Sequence, residues 1–119
     1  MRKLKIAITG ANGMLGASLC SLYHHNHVVY AIHRNRAALA PCSLVLNCDL
    51  KDATSLGAGL TKFKPDIVIH CAACVDLEIC EGDPELAYQA NVEVTENVAL
   101  ACPDEAALVY ISTDQVYGN

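Results

Sequence analysis

The sequence has no tryptophan, a single phenylalanine and no apolar run long enough to span a membrane. Hydrophobic residues nevertheless make up 53% of its 119 residues and charged residues only 18%, a composition too apolar for a disordered chain. Aliphatic side chains and alanine must therefore fill the interior. The length is that of one domain, since domains mostly comprise about 100–200 residues.

Positive charge is missing from the second half of the chain. All eight lysines and arginines lie within residues 1–64, whereas residues 65–119 contain eleven acidic residues and no lysine or arginine. Because affinity for nucleic acid comes largely from neutralising phosphates, an acidic chain without a basic cluster is not expected to bind nucleic acid. Chemistry that needs a lysine or arginine after residue 64 is also excluded for this chain alone.

Neither a secretory leader nor a disulfide framework is indicated. Only Ile6-Ala7-Ile8 follows the basic start of the chain, whereas a leader needs about 7–15 apolar residues. The seven cysteines are an odd number, and Cys20, Cys48 and Cys71 lie inside apolar segments, which favours reduced, buried thiols. We therefore expect a cytoplasmic protein without membrane contact.

Short apolar runs alternate with helical patterns along the chain. The runs are nearly uninterrupted by polar residues, which is typical of parallel strands that are covered on both faces. Together they predict an α/β fold with a doubly wound parallel sheet of order 3-2-1-4-5. The predicted strands are 4–9, 28–32, 43–48, 66–71 and 107–112, and the predicted helices are 14–24, 52–63 (with Asp52 as N-cap) and 84–102.

The strongest motif lies between the first strand and the first helix. Gly10, Gly13 and Gly16 have the spacing Gly-x-x-Gly-x-x-Gly, which in this context is typical of a dinucleotide-binding loop. The first glycine permits a tight turn, the second close approach of a pyrophosphate, and the third close packing of helix on strand. A glycine-rich turn without a ligand is the alternative. The other loop residues assigned to the candidate site are Asn12, Met14 and Leu15.

The end of the second strand indicates which dinucleotide to expect. An NAD site usually places an acidic residue there to bind the ribose 2′-hydroxyl. This sequence has His33 and Arg34 instead, and a guanidinium group suits a 2′-phosphate. The sequence therefore favours NADP over NAD, with an exposed loop arginine as the alternative interpretation.

Three segments resemble the extended short-chain dehydrogenase/reductase family: the glycine loop, 68–73 (VIHCAA) and 111–118 (ISTDQVYG). Within that family, residues 75–76, 81–87 and 112–117 are most similar to the dTDP-4-dehydrorhamnose reductase branch. The resemblance implies a Rossmann-like, NADPH-dependent reductase of the keto group of a nucleotide-linked deoxysugar. Residues 1–119 would then be its cofactor-binding domain. The sequence does not decide whether the complete protein forms a homo-oligomer.

The resemblance also implies roles for single residues. One residue, Thr113, would hydrogen-bond the substrate carbonyl. The implied cofactor contacts are Asp49 and Leu50 at the adenine, Ala72, Ala73 and Val75 at the ribose, and Asn91 on the last helix. Without the resemblance, Asp49 is equally well interpreted as a turn residue, Asn91 as a polar helix residue and Thr113 as a strand-end cap.

The sequence departs from the family in its reaction residues. The family protonates the substrate oxygen with the tyrosine of a Tyr-x-x-x-Lys motif, located one helix after the fifth strand. None of the five tyrosines here is followed by lysine four residues later. We therefore expect a sheet truncated after its fifth strand, no substrate-binding part, marginal stability or self-association, and no reductase activity from the 119-residue chain alone.

Other functions stay open beside the reductase. A non-catalytic nucleotide-binding module, resembling the regulatory subunit of methionine adenosyltransferase, would act by binding a partner enzyme. A nucleotide-sugar epimerase or dehydratase would keep NAD bound, which favours an acidic residue at the end of the second strand. No metal site is expected, since Cys71 and Cys74 form one Cys-x-x-Cys pair without the second pair of a zinc ribbon.

Overall fold

The computed structural model of the protein describes residues 2–11, 14–33, 41–71 and 84–111. The elements, in chain order, are β1 (Lys5–Thr9), α1 (Met14–Tyr23), β2 (Val28–His33), β3 (Leu44–Asn47), α2 (Ala53–Phe63), β4 (Ile67–Cys71), α3 (Pro84–Ala101) and β5 (Ala107–Ile111). All five predicted strands and all three predicted helices are confirmed. Their described ends lie within one residue of the prediction.

The strands form one parallel sheet of order β3-β2-β1-β4-β5, as predicted. At the centre of the sheet, Thr9 of β1 lies opposite Ile32 of β2 and His70 of β4. The strand order therefore reverses direction beside β1, between β2 and β4. In doubly wound sheets, the crevice beyond the carboxyl ends of the strands at such a reversal is where ligands bind.

Two apolar clusters cover the two faces of the sheet. One cluster packs against α1 and contains the buried residues Ile8 and Cys20, and the other packs against α2 and α3 and contains Leu56 and Val98. Among the described residues, the largest fully buried side chains are not aromatic, although Phe63 is also buried in the second cluster. Aliphatic residues therefore fill the interior, as the composition predicts.

Local hydrogen bonds explain where α2 begins and ends. The Asp52 carboxylate accepts from the Ser55 N–H at 3.1 Å and from the Ser55 hydroxyl at 2.8 Å, which confirms the predicted N-cap. The helix ends at Lys64, which has a left-handed φ of 55° and whose N–H donates to the Leu60 carbonyl. Within the helix, Gly59 leaves room for Leu46, because a Cβ at Gly59 would lie 2.6 Å from Leu46 Cδ2.

The outer strands are much more exposed than the central ones. All of β3 is exposed or half-buried, and Leu108, Val109 and Tyr110 of β5 are exposed. By contrast, every side chain of β1 after Lys5 is buried. The predicted marginal stability or self-association stays a prediction, which sedimentation at several protein concentrations tests.

The described cysteines are free thiols, and Cys20, Cys48 and Cys71 are buried as predicted. Burial raises the pKa of the Cys20 thiol to about 11, and it also raises the pKa of Cys71 and Cys48. These thiols are therefore protonated and act as small apolar side chains. Within the described residues, no helix is long and apolar enough to cross a membrane.

Candidate functional site

The turn after β1 requires glycine at its first position. Gly10 has a φ of +66°, a left-handed conformation that a residue with a Cβ rarely adopts. A Cβ on Gly10 would also lie 2.9 Å from the Cys71 carbonyl oxygen at the end of β4. The chain therefore turns sharply against β4, which is the geometry that the glycine motif predicts.

The third glycine of the motif allows α1 to pack on this turn. A Cβ on Gly16 would overlap the Gly10 carbonyl oxygen and lie 2.9 Å from Ala11 Cα. No side chain fits there, so the first turn of α1 lies directly on the backbone of the loop. At Gly16, where the sequence predicts close packing of helix on strand, the structure brings the helix close to the loop backbone.

The first side chains of α1 are exposed. Met14 is 90% exposed, Leu15 is exposed, and the first turn contains no acidic side chain. The first peptide N–H groups of a helix have no acceptor within the helix, and the helix dipole adds partial positive charge. Such an end can bind a phosphate.

His33 is a buried polar side chain at the end of β2. Its side chain is 7% exposed, and both ring nitrogens lack a partner within the described part of the chain. The neighbouring backbone joins β2 to the glycine turn, because the Ala11 N–H donates to the Ile32 carbonyl at 3.3 Å. Burying unpaired polar atoms is costly, so the imidazole of His33 is a candidate contact for a ligand.

The turn after β3 lies beside His33. The Cys48 N–H donates to the His33 carbonyl at 3.0 Å. Asp49 stabilises this turn, since its carboxylate accepts from the Lys51 N–H at 2.9 Å, and its side chain is exposed. The Leu50 carbonyl accepts from the Asn97 side-chain amide of α3 at 2.9 Å. The carboxyl ends of β3, β2 and β1 therefore bring Asp49, His33 and Gly10 into one row.

A second buried histidine lies in β4 and is fully paired. His70 is 4% exposed, its Nδ1 lies 2.6 Å from Thr9 Oγ1, and its Nε2 lies 3.2 Å from Thr95 Oγ1. Its ring stacks on Tyr110 of β5 with centroids 5.6 Å apart. Burial lowers the pKa of His70. The sequence analysis assigns no role to His70 or Thr95. The position of His70 inside the apolar strand β4 nevertheless indicates a buried polar side chain that needs partners.

Asn91 lies on α3, four residues before Thr95. It is half-buried, and residues four apart share one face of a helix. The sheet-facing side of the same helix carries the buried Val94 and Val98. Asn91 therefore lies on the part of α3 that approaches β4.

The structure describes about half of the predicted site residues. Their cofactor contacts stay predictions. Seven of the predicted residues lie outside the described residues: Asn12, Gly13, Arg34, Ala72, Ala73, Val75 and Thr113. In the part of the chain that is described, no group of three or more histidine, cysteine, aspartate or glutamate side chains could hold a metal ion.

The parallel sheet, with a glycine turn and helix at its reversal point, defines a Rossmann-like α/β domain. A family model described as the RmlD substrate binding domain matches residues 4–119. The chain belongs to this family.

Two curated relatives show how much of a family member the chain represents. Methionine adenosyltransferase 2 subunit beta of Xenopus laevis is 35% identical over 113 residues, which cover 92% of this chain and 32% of that protein. The dTDP-4-dehydrorhamnose reductase of Mycolicibacterium smegmatis is 33% identical over 116 residues, 96% of this chain and 32% of that protein. The predicted resemblance to the reductase branch is confirmed, and the chain spans about a third of the length of these relatives.

Solved structures agree with this assignment of the fold. The Bordetella bronchiseptica enzyme WbmG, solved in complex with NAD, is similar with a TM-score of 0.73 and 27% identity. The similarity covers 92% of this chain and 37% of that chain. Another structure of WbmG contains NAD and UDP.

Proposed function

We propose that residues 1–119 are the NADP-binding domain of a reductase that acts on the keto group of a nucleotide-linked deoxysugar. The observation that carries the proposal is the glycine turn at the reversal point of the sheet, where Gly10 and Gly16 have no room for a Cβ. A turn built this way lets a ligand approach the backbone and the N-terminus of α1. The 33% identity to a dTDP-4-dehydrorhamnose reductase supports the choice of substrate class.

The described residues fit a dinucleotide. The N-terminus of α1 would receive the pyrophosphate. The ring nitrogens of His33, which have no partner within the described residues, would pair with the ribose end of the cofactor. Asp49 and Leu50, in the next turn along the row, would contact the adenine. The predicted NADP preference rests on the absence of an acidic residue at the end of β2 and on Arg34, which follows His33.

In the complete protein, the dinucleotide would supply the hydride for carbonyl reduction. The residues of this chain would bind and orient the reactants, with Thr113 donating a hydrogen bond to the substrate carbonyl. The proton donor has to come from outside residues 1–119, because these contain no Tyr-x-x-x-Lys. We therefore expect the 119-residue chain to bind nucleotide and not to reduce substrate.

The second candidate function is a non-catalytic regulatory module. The 35% identity to a beta subunit of methionine adenosyltransferase 2 favours it as well. The two functions predict different behaviour of the complete protein. A reductase consumes NADPH in the presence of a nucleotide-linked keto sugar, whereas a regulatory module binds a partner enzyme and leaves the NADPH unchanged.

The cofactor proposal is tested by titrating the chain with NADPH and with NADH. Because the protein has no tryptophan, the nicotinamide fluorescence can be followed without energy transfer from that residue. We expect NADPH to bind about tenfold more tightly than NADH, and Arg34→Glu to remove the difference.

Lys62→Glu is the matched control for the charge change. Lys62 is exposed in the last turn of α2, so this variant should keep the preference for NADPH. Failure of the wild-type chain to bind either nucleotide would contradict the proposed function. Equal affinity for both nucleotides would contradict the NADP assignment alone.

A further inference from the structure

A buried polar bridge crosses from β1 through β4 to α3. The His70 ring lies between two hydroxyls, with Thr9 Oγ1 2.6 Å from Nδ1 and Thr95 Oγ1 3.2 Å from Nε2. Thr9 is fully buried and Thr95 is half-buried. Both neighbouring sheet positions of His70 are filled, by Thr9 on β1 and by Tyr110 on β5. The ring is therefore fixed from three elements.

The bridge pairs every polar atom that it buries. A neutral imidazole has one donor and one acceptor nitrogen, and each threonine hydroxyl can donate or accept. Either neutral tautomer of His70 is thus paired at both nitrogens. Polar groups cost free energy when they are brought into a protein core. Apolar residues in place of His70 and the two threonines would hold the strands together without that cost. The apolar residues Val68 and Ile69 already do so within β4.

The two ends of the bridge lead to segments of the candidate site. Thr9 is followed directly by Gly10, which begins the glycine turn. Thr95 lies on α3, two residues before Asn97, whose side-chain amide donates to the Leu50 carbonyl at 2.9 Å. Helix α3 therefore has hydrogen-bonded connections to Thr9, the residue before the glycine turn, and to Leu50 in the turn after β3.

We infer that His70 and Thr95 are positioning residues for the dinucleotide site, which they hold in shape by tying the end of β1 to α3. The inference rests on the proposed function, since the positioned ligand is the dinucleotide. Neither residue needs to contact the ligand. When the Thr95 hydroxyl is removed, Nε2 of His70 is left unpaired, so the bridge no longer ties the His70 ring and Thr9 to α3.

Two substitutions of Thr95 separate positioning from packing. Thr95→Val keeps the shape and removes the hydroxyl, whereas Thr95→Ser keeps the hydroxyl and removes the methyl group. We expect Thr95→Val to weaken NADPH binding about five- to tenfold and Thr95→Ser to weaken it less than about twofold. The exposed helical residue Thr61 provides the control, because Thr61→Val makes the same change away from the bridge.

The measurement is the dissociation constant for NADPH in the 119-residue chain, with the thermal unfolding temperature measured on the same samples. If Thr95→Ser weakens binding as much as Thr95→Val, or if neither changes it, the positioning role is overturned while the proposed function stands. If the wild-type chain does not bind NADPH, the proposed function is overturned and the inference with it. Rescue of binding by serine despite a lower unfolding temperature supports the inference.

Discussion

Two histidines at the carboxyl end of the sheet are buried to nearly the same extent but differ in their surroundings. His70 is 4% exposed and has a partner for each ring nitrogen, whereas His33 is 7% exposed and has none within the described residues. The difference shows that burial alone does not define the role of a polar side chain. The paired ring is part of the scaffold, whereas the proposed dinucleotide would supply partners for the ring of His33.

The glycine turn lies between the two histidines, and changing it should produce the largest effect on stability. Gly16→Ala places a Cβ against the Gly10 carbonyl oxygen, so we expect a loss of about 2–3 kcal/mol in the free energy of unfolding. Gly57→Ala is the matched control in α2, because a Cβ there would meet no atom within 4 Å. Denaturant unfolding measures both variants.

The control should change stability in the opposite direction. Alanine has a higher helix propensity than glycine, so Gly57→Ala should stabilise the chain by about 0.5–1 kcal/mol. Equal effects of the two substitutions would show that α1 does not pack on the turn as described.

Replacing each histidine by leucine tests whether the two rings differ in their contribution to stability. His70→Leu leaves the hydroxyl of the fully buried Thr9 unpaired, so it should reduce the free energy of unfolding by about 1–3 kcal/mol. His33→Leu removes two buried nitrogens that have no partner within the described residues, so it should leave stability unchanged or raise it by up to about 1 kcal/mol. Denaturant unfolding gives the stabilities, and NADPH titration should show weaker binding for both variants. A large loss of stability in His33→Leu would mean that its ring is paired in the free protein.

The sequence was sufficient to predict the fold but not the difference between these histidines. Parallel strands and their connecting helices have local apolar patterns, so their ends were predicted to within one residue. The glycine turn was likewise predictable, because its three glycines lie within seven residues. The partners of His70 are 61 and 25 residues away, and only the tertiary structure brings them together. Local patterns contain no information about such contacts.

Asn97 connects the surroundings of the two histidines. It lies on α3, the helix that contacts His70, and it binds the turn after β3, which lies beside His33. Asn97→Leu would leave the Leu50 carbonyl without the amide that donates to it at 2.9 Å. Since this bond is only part-buried, we expect a loss of about 1 kcal/mol in the free energy of unfolding. Asn91→Leu, on the same helix, is the control for the changed helix surface. A loss of stability that is equal in both variants would argue against a specific role for the bond.

Lowering the pH should produce the smallest change in the free energy of unfolding, and this change should depend on His70. Burial lowers the pKa of His70 below its ordinary value of 6.5, so the unfolded chain binds more protons than the folded chain as the pH falls through 6.5. The free energy of unfolding should therefore decrease as the pH falls from 6.5 toward the pKa of the folded state. Among the described residues, Tyr110 of β5 is the other titratable side chain that packs against the ring.

His70→Gln isolates this contribution, because glutamine can hydrogen-bond a threonine hydroxyl and does not titrate. The variant should show a smaller decrease of stability than the wild-type chain over the same pH interval, measured by denaturant unfolding. Carboxylates such as Asp52, whose pKa is lowered by its hydrogen bonds to Ser55, act at lower pH and in both proteins alike. Parallel pH profiles for the two proteins would show that the acid sensitivity comes from other groups and that the buried His70 ring does not resist protonation.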